Sequence, residues 1–158
     1  MKEIAQTCVR KIQFCYGHRV MKHESKCATL HGHNGIAWVH ATPIKGLDKI
    51  GRVIDFSVLK EKVGTWIDDN CDHTMILNQK DVQTIELVKK APAFKDIFIL
   101  PYNPTAENLA RYLLHIVCPK VLKKSGVIVY KITFWETENC YAEQSLDPYN
   151  KETLQKYL

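Results

Sequence analysis

Three histidines and one cysteine carry the most chemistry in this chain: His18 lies in FCYGHRV, and Cys27, His31 and His33 lie in CATLHGHN. Side chains alternate along an extended strand, so His18 shares a face with Ile12, Phe14 and Tyr16, and His31 and His33 share a face of a second strand. Three neutral imidazoles converging from two strands fill three corners of a tetrahedron and leave the fourth open for substrate. That is the arrangement of a catalytic zinc, whereas a structural zinc is normally closed by a fourth protein ligand. H-x-H alone is common, and it is His18 in a matching strand that favours a metal. No carboxylate sits in the row to complete a facial triad, which favours zinc over iron. His23, His40 and His115 lack this context and read as packing or surface residues.

Cys27 follows Lys26 in a polar loop, where a cation and a nearby metal lower a thiol's pKa toward thiolate. A thiolate there can serve as general base or nucleophile, although free cysteines are most often small buried hydrophobes. The other five cysteines read as packing. Cys71-Asp72-His73 supplies an acid beside an imidazole, and an Asp can fix a histidine's tautomer as in a catalytic triad; an exposed Asp-His turn is the plainer reading of the dipeptide alone. Glu136 ends an apolar strand face, as either a surface charge or a half-buried carboxylate needing donors; a pterin or guanine edge offers two parallel N–H groups. Glu107, just inside a helix start, suits the helix dipole.

The elements that must position these residues are legible in outline. Alternation from Val9 to Val20 and from His31 to Thr42 predicts two strands joined by a polar loop containing MKHESK. A helix follows Asp55, its N-cap, with Phe56, Leu59, Val63, Trp66 and Ile67 at helical spacing. Pro104 and Thr105 mark a second helix start, Leu109, Leu113, Ile116 and Val117 form its buried stripe, and Pro119 stops it. Val127 to Trp135 is dense in β-branched and aromatic residues and predicts a strand, with a hairpin partner around Cys140 to Gln144. Gln79 to Leu100 reads only as a short helix and a connection. This order predicts an α+β domain with an antiparallel sheet; with no alternating strand–helix series and no Gly-rich fingerprint, a Rossmann fold is excluded.

At 158 residues, 46% hydrophobic and 25% charged, the chain fits one soluble globular domain spanning 1–158. No apolar run approaches ~20 residues and the N-terminus has no signal-peptide core, which predicts no membrane span and a cytoplasmic protein. Six cysteines without a C-x-x-C pair exclude a zinc ribbon and suit free thiols. A net charge of +5 from scattered lysines suits an anionic small molecule better than nucleic acid.

FCYGHR, CATLHGHN, VIDFSVLK, CDHTMILN, NPTAEN and WETE together resemble, in order and spacing, the 6-pyruvoyl-tetrahydropterin synthase family, from roughly Phe14 to Glu143. The three-residue gap between Cys27 and HGH resembles the bacterial 6-carboxy-5,6,7,8-tetrahydropterin synthase branch, which acts in queuosine synthesis. The resemblance implies a tunnelling fold (T-fold): a four-stranded antiparallel sheet with two helices on one face, in ββααββ order. It implies trimeric barrels paired into homo-hexamers, with active sites between subunits. It also implies Zn2+ on His18, His31 and His33, catalytic Cys27, Asp72 and His73, a pterin-anchoring Glu136, Thr105 near the pterin ring, and Glu107 at a recurring position of the substrate site. The implied reaction converts 7,8-dihydroneopterin triphosphate to 6-carboxytetrahydropterin, acetaldehyde and triphosphate. Alternatives are the pyruvoyl synthase reaction, which keeps the acetaldehyde carbons, an aldolase-like activity on the same substrate, and a non-catalytic zinc- or pterin-binding module. Arg19, Lys22 and Lys26 are phosphate contacts by sign and proximity. Two departures from the family pattern stand out: Gly35 replaces the usual aromatic after HGHN, and Cys71 replaces an aliphatic.

Overall fold

A strand whose alternate side chains are apolar buries one face, and the segment from Cys8 onward does so: Ile12, Phe14, Tyr16 and His18 are buried while Lys11, Gln13 and Cys15 are exposed. The computed structural model describes residues 6–92 and 96–158, so residues 1–5 and the middle of the 79–100 connection lie outside the described residues. In chain order the elements are β1 (Cys8–His18), β2 (His31–Pro43), α1 (56–70), β3 (Thr74–Asn78), α2 (Val82–Lys89), β4 (Phe98–Leu100), α3 (106–121), β5 (Val127–Thr137), β6 (Cys140–Ser145) and α4 (Lys151–Tyr157). A single 3-10 turn, Lys26–Ala28, interrupts the β1–β2 loop and carries Cys27.

The sheet has six strands in the order β4-β3-β1-β2-β5-β6, not the four expected. β1, β2, β5 and β6 pair antiparallel. The two additional strands are parallel: β3 pairs with the end of β1 and β4 with β3. They are five and three residues long, too short to show an alternating pattern in sequence. The tunnelling-fold core is thus extended by a short parallel edge, and α2 lies in the connection between β3 and β4.

α1 and α3 supply the other half of one core, with Leu59, Val63 and Ile67 from α1 and Leu109, Leu113, Leu114 and Val117 from α3 packed with the buried face of the sheet. Asp55 caps α1, its carboxylate accepting from the Ser57 N–H, and Thr105 caps α3. Each long helix contains one wide π turn, at Lys60–Gly64 and Leu113–Val117. The second explains why Pro119 does not stop α3. The Cys118 N–H donates to the Leu113 carbonyl across the wide turn, and Pro119 falls where the ladder resets, a position that asks no N–H of it. The same wide turn rotates Ile116 out of the expected stripe, leaving it 52% exposed, and buries Leu114 instead. α4, unforeseen in sequence, closes one end of the core through the fully buried Tyr157, whose hydroxyl donates to the Val129 carbonyl.

Two irregularities break β5. Lys131 pairs with His40 and Val129 with Ala41, so Tyr130 is an extra residue, and Val127, Ile128 and Val129 are all buried. A second bulge lies between Trp135 and Thr137 and leaves Glu136 without a partner on β6. Such bulges bend a strand and re-aim a side chain.

Candidate active site

The β1–β2 pairing sets His18 opposite His31 and Tyr16 opposite His33, so the three imidazoles meet on the helix-covered face at the loop end of the hairpin. Their ring centroids lie 4.5 to 5.0 Å apart. His18 Nδ1 lies 2.7 Å from the Pro104 carbonyl, and His31 Nδ1 lies 2.6 Å from the Thr29 carbonyl. A carbonyl can only accept, so both Nδ1 atoms carry the hydrogen and both Nε2 atoms present lone pairs. Those two lone pairs face each other across 3.1 Å. His33 Nε2 is buried without a hydrogen-bond partner among the described residues. Burial lowers His18 to about 4, so no proton on that ring relieves the contact near neutral pH. Burial also lowers His33, although Glu136 opposes the shift.

The inward Nε2 atoms of His18 and His31, whose Nδ1 atoms carbonyls hold, form with the neighbouring His33 Nε2 a donor set for a cation. The three ligating nitrogens lie within 4.8 Å of one another. A tetrahedral zinc asks for about 3.3 Å between nitrogens, which small ring movements supply. The residues therefore fit a zinc ion.

Glu136, re-aimed by its bulge, points at the same place. Its Oε1 lies 3.5 Å from His18 Nε2 and 3.7 Å from His33 Nε2. The Tyr16 hydroxyl lies 3.4 Å from the same oxygen.

A second group forms on the other side of β1. Asp72 Oδ2 accepts from His73 Nδ1 at 2.7 Å, and Asp72 Oδ1 accepts from the Cys15 N–H at 2.8 Å. His73 adopts φ +55, uncommon for a residue with a Cβ, and its own N–H donates to the Cys15 carbonyl at 2.7 Å. The backbone of Cys15 thus grips both members of the pair. Its thiol donates to Asn34 Oδ1 at 2.9 Å. The His73 side chain is 75% exposed, with Nε2 left for chemistry. An open cleft of about 1040 Å³ is lined by both groups, with His31 and His33 on one part and Cys15 and His73 on another.

The remaining expected residues contribute no side-chain atom to either cluster. Cys27 is half-buried on its turn, and its thiol makes no hydrogen bond among the described residues. Thr105 caps α3 by accepting from the Asn108 N–H, and Glu107 is exposed in the first turn of that helix. Arg19 is taken up internally: its Nη1 donates to Thr84 Oγ1 at 3.1 Å and its Nε lies 3.3 Å from Asp81 Oδ2. It therefore ties the end of β1 to α2, leaving Lys22 and Lys26 as the exposed cations of the loop. Of the cysteines expected to be packing, Cys8, Cys71 and Cys118 are buried, but Cys15 and Cys140 are exposed. Cys15, Asn34 and Tyr16 escaped the sequence reading, although their places within FCYGH and HGHN were the available signal.

Comparison with known proteins bears on most of the chain. A family model described as 6-pyruvoyl tetrahydropterin synthase matches residues 7–146. A 6-carboxy-5,6,7,8-tetrahydropterin synthase from Rickettsia conorii is 38% identical over 136 residues, covering 86% of this chain and 97% of the relative. An uncharacterized protein of Wolinella succinogenes has a crystal structure that superposes with a TM-score of 0.75 at 24% identity, covering 90% of this chain and 98% of that one. The 6-pyruvoyl tetrahydropterin synthase of Caenorhabditis elegans superposes with a TM-score of 0.61 at 22% identity over 90% of this chain and 96% of its own, a likeness of fold.

Proposed function

The chain belongs to the 6-pyruvoyl tetrahydropterin synthase family and has its tunnelling fold, and from that premise we propose that it is a zinc-dependent 6-carboxy-5,6,7,8-tetrahydropterin synthase. Its substrates are 7,8-dihydroneopterin triphosphate and one water, and its products are 6-carboxytetrahydropterin, acetaldehyde and triphosphate. The choice of product is supported by the name of the 38% identical relative and by the short spacing between Cys27 and His31. The observation that carries the enzymatic reading is the pair of facing lone pairs on His18 and His31 beside a cleft that also reaches His73.

His18, His31 and His33 hold the zinc, which when bound supplies a Lewis acid that acidifies the side-chain hydroxyls of the substrate and the C–H bonds beside them. His73, with Nδ1 committed to Asp72, takes or returns a proton at Nε2, and the Asp72 carboxylate stabilises the imidazolium that results. Cys27 moves protons on the opposite side of the substrate. Glu136 accepts two parallel N–H groups of the pterin, Thr105 lies near the ring, and Glu107 borders the site. A homo-hexamer with sites between subunits covers sheet edges that are open in a single chain. The enzyme works in the cytoplasm, in queuosine or another 7-deazaguanine pathway.

Incubating zinc-loaded protein with 7,8-dihydroneopterin triphosphate tests this, with mass analysis of the pterin and an assay for acetaldehyde. Acetaldehyde and 6-carboxytetrahydropterin in equal amounts are expected. A pterin that retains the side-chain carbons makes the protein a pyruvoyl synthase, and no turnover sinks the enzymatic reading in favour of a binding module.

A further inference from the structure

We propose that Tyr16 is a positioning residue of this site, its ring setting two of the three imidazoles and its hydroxyl setting Glu136. The inference rests on the pterin reading of Glu136 for the hydroxyl, and on geometry alone for the ring. Tyr16 is 3% exposed in the middle of the buried face of the sheet. Its ring centroid lies 5.2 Å from that of His18, edge-on, and 5.8 Å from that of His33. Behind it stand Phe14 at 5.5 Å and Phe134 at 6.0 Å. A ring wedged between two apolar rings and two imidazoles restricts the χ2 freedom of both histidines.

Gly35 makes this possible. A Cβ at Gly35 would sit 2.8 Å from Tyr16 Cε1 and 3.0 Å from Phe134 Cζ, so any side chain there collides with the two rings. An aromatic at position 35 and the present pose of Tyr16 therefore exclude each other. The chain packs this corner with a ring from β1 rather than one from β2, and the change of strand brings a new polar group with it. The Tyr16 hydroxyl reaches Glu136 Oε1 at 3.4 Å, a long contact that orients the carboxylate toward the imidazoles while leaving Oε2 and a second lone pair of Oε1 for the two N–H groups of a ligand. Glu136 needs such a guide because its bulge leaves it without a cross-strand partner.

Ring and hydroxyl separate experimentally. Zinc affinity is read by competition with a chromophoric chelator, and pterin affinity by fluorescence titration with 7,8-dihydroneopterin. Tyr16→Phe should leave zinc affinity unchanged, weaken the pterin about fivefold and raise KM with kcat retained. Tyr16→Ala should weaken both ligands, and Tyr16→Ala combined with Gly35→Phe should recover zinc affinity without recovering the pterin. Equal pterin affinity in wild type and Tyr16→Phe overturns the role of the hydroxyl. Equal zinc affinity in wild type and Tyr16→Ala overturns the role of the ring. A wild-type protein that holds zinc but binds no dihydropterin overturns the substrate reading itself, and the hydroxyl's role with it.

Discussion

Which ring nitrogen faces inward decides the character of the histidine group. Because the Pro104 and Thr29 carbonyls occupy the Nδ1 atoms of His18 and His31, the inward nitrogens have only lone pairs to offer, and a cation is the partner that satisfies them. His31→Ala removes one donor of three, and the purified protein is expected to carry less than a tenth of its zinc by elemental analysis, since losing one ligand costs far more than the 10-fold or greater loss typical of an outer-shell partner. Cys27 stands outside the group of ligating atoms, so Cys27→Ala should keep its full zinc content while turnover falls by about 100-fold or more, the usual loss for a proton-transfer group. Full activity in Cys27→Ala would remove that residue from the mechanism. Asp72→Asn should preserve the fold but lower kcat, because an amide can present its N–H to His73 Nδ1 and reverse the tautomer.

At the level of elements, the core of the sheet rests on a few fully buried side chains that leave cavities when shortened. Leu59 and Phe134 are both 0% exposed, and truncating either to Ala is expected to cost about 2–5 kcal/mol in denaturant unfolding. Ile116→Ala, on the outward side of the π turn, should cost under about 1 kcal/mol, although simple helical spacing would rank it with the core. That contrast marks how far sequence reading reaches. β1 and β2 were legible because their alternation is long, β5 because it is dense in β-branched and aromatic residues, and α1 was legible from Leu59, Val63 and Ile67 behind an Asp cap. β3 and β4 were not, because five and three residues owe their strand state to neighbours rather than to pattern. Pro119 misled because a wide turn one step earlier removed the hydrogen bond that proline breaks. In the candidate site, the meeting of the histidines follows from strand alternation, whereas the grip of Cys15 on Asp72 joins residues 57 apart and leaves no local trace.

For the whole molecule, the distribution of thiols offers a map of what is covered. Cys118 is fully buried, and burial pushes its thiol well above the ordinary range, whereas Cys15 and Cys140 are exposed in the single chain. Brief treatment with iodoacetamide followed by peptide mass analysis should leave Cys118 unmodified until the chain unfolds. Protection of Cys15 or Cys140 in the native protein would mark faces covered by another copy, and dilution into subunits should then expose them. β1 serves two neighbourhoods at once, with His18 and Tyr16 on one face and Cys15 meeting Asp72 on the other. A single residue inserted between Phe14 and His18 would exchange those faces and send each group to the wrong side of the sheet. The stretch of the β1–β2 loop from Lys22 to Lys26, ahead of Cys27, carries no such register constraint, because doubling a flexible loop costs only about 0.6 kcal/mol. Length changes among relatives should therefore collect in that loop and stop short of the strand, a pattern of tolerated insertions that records where the chemistry is anchored.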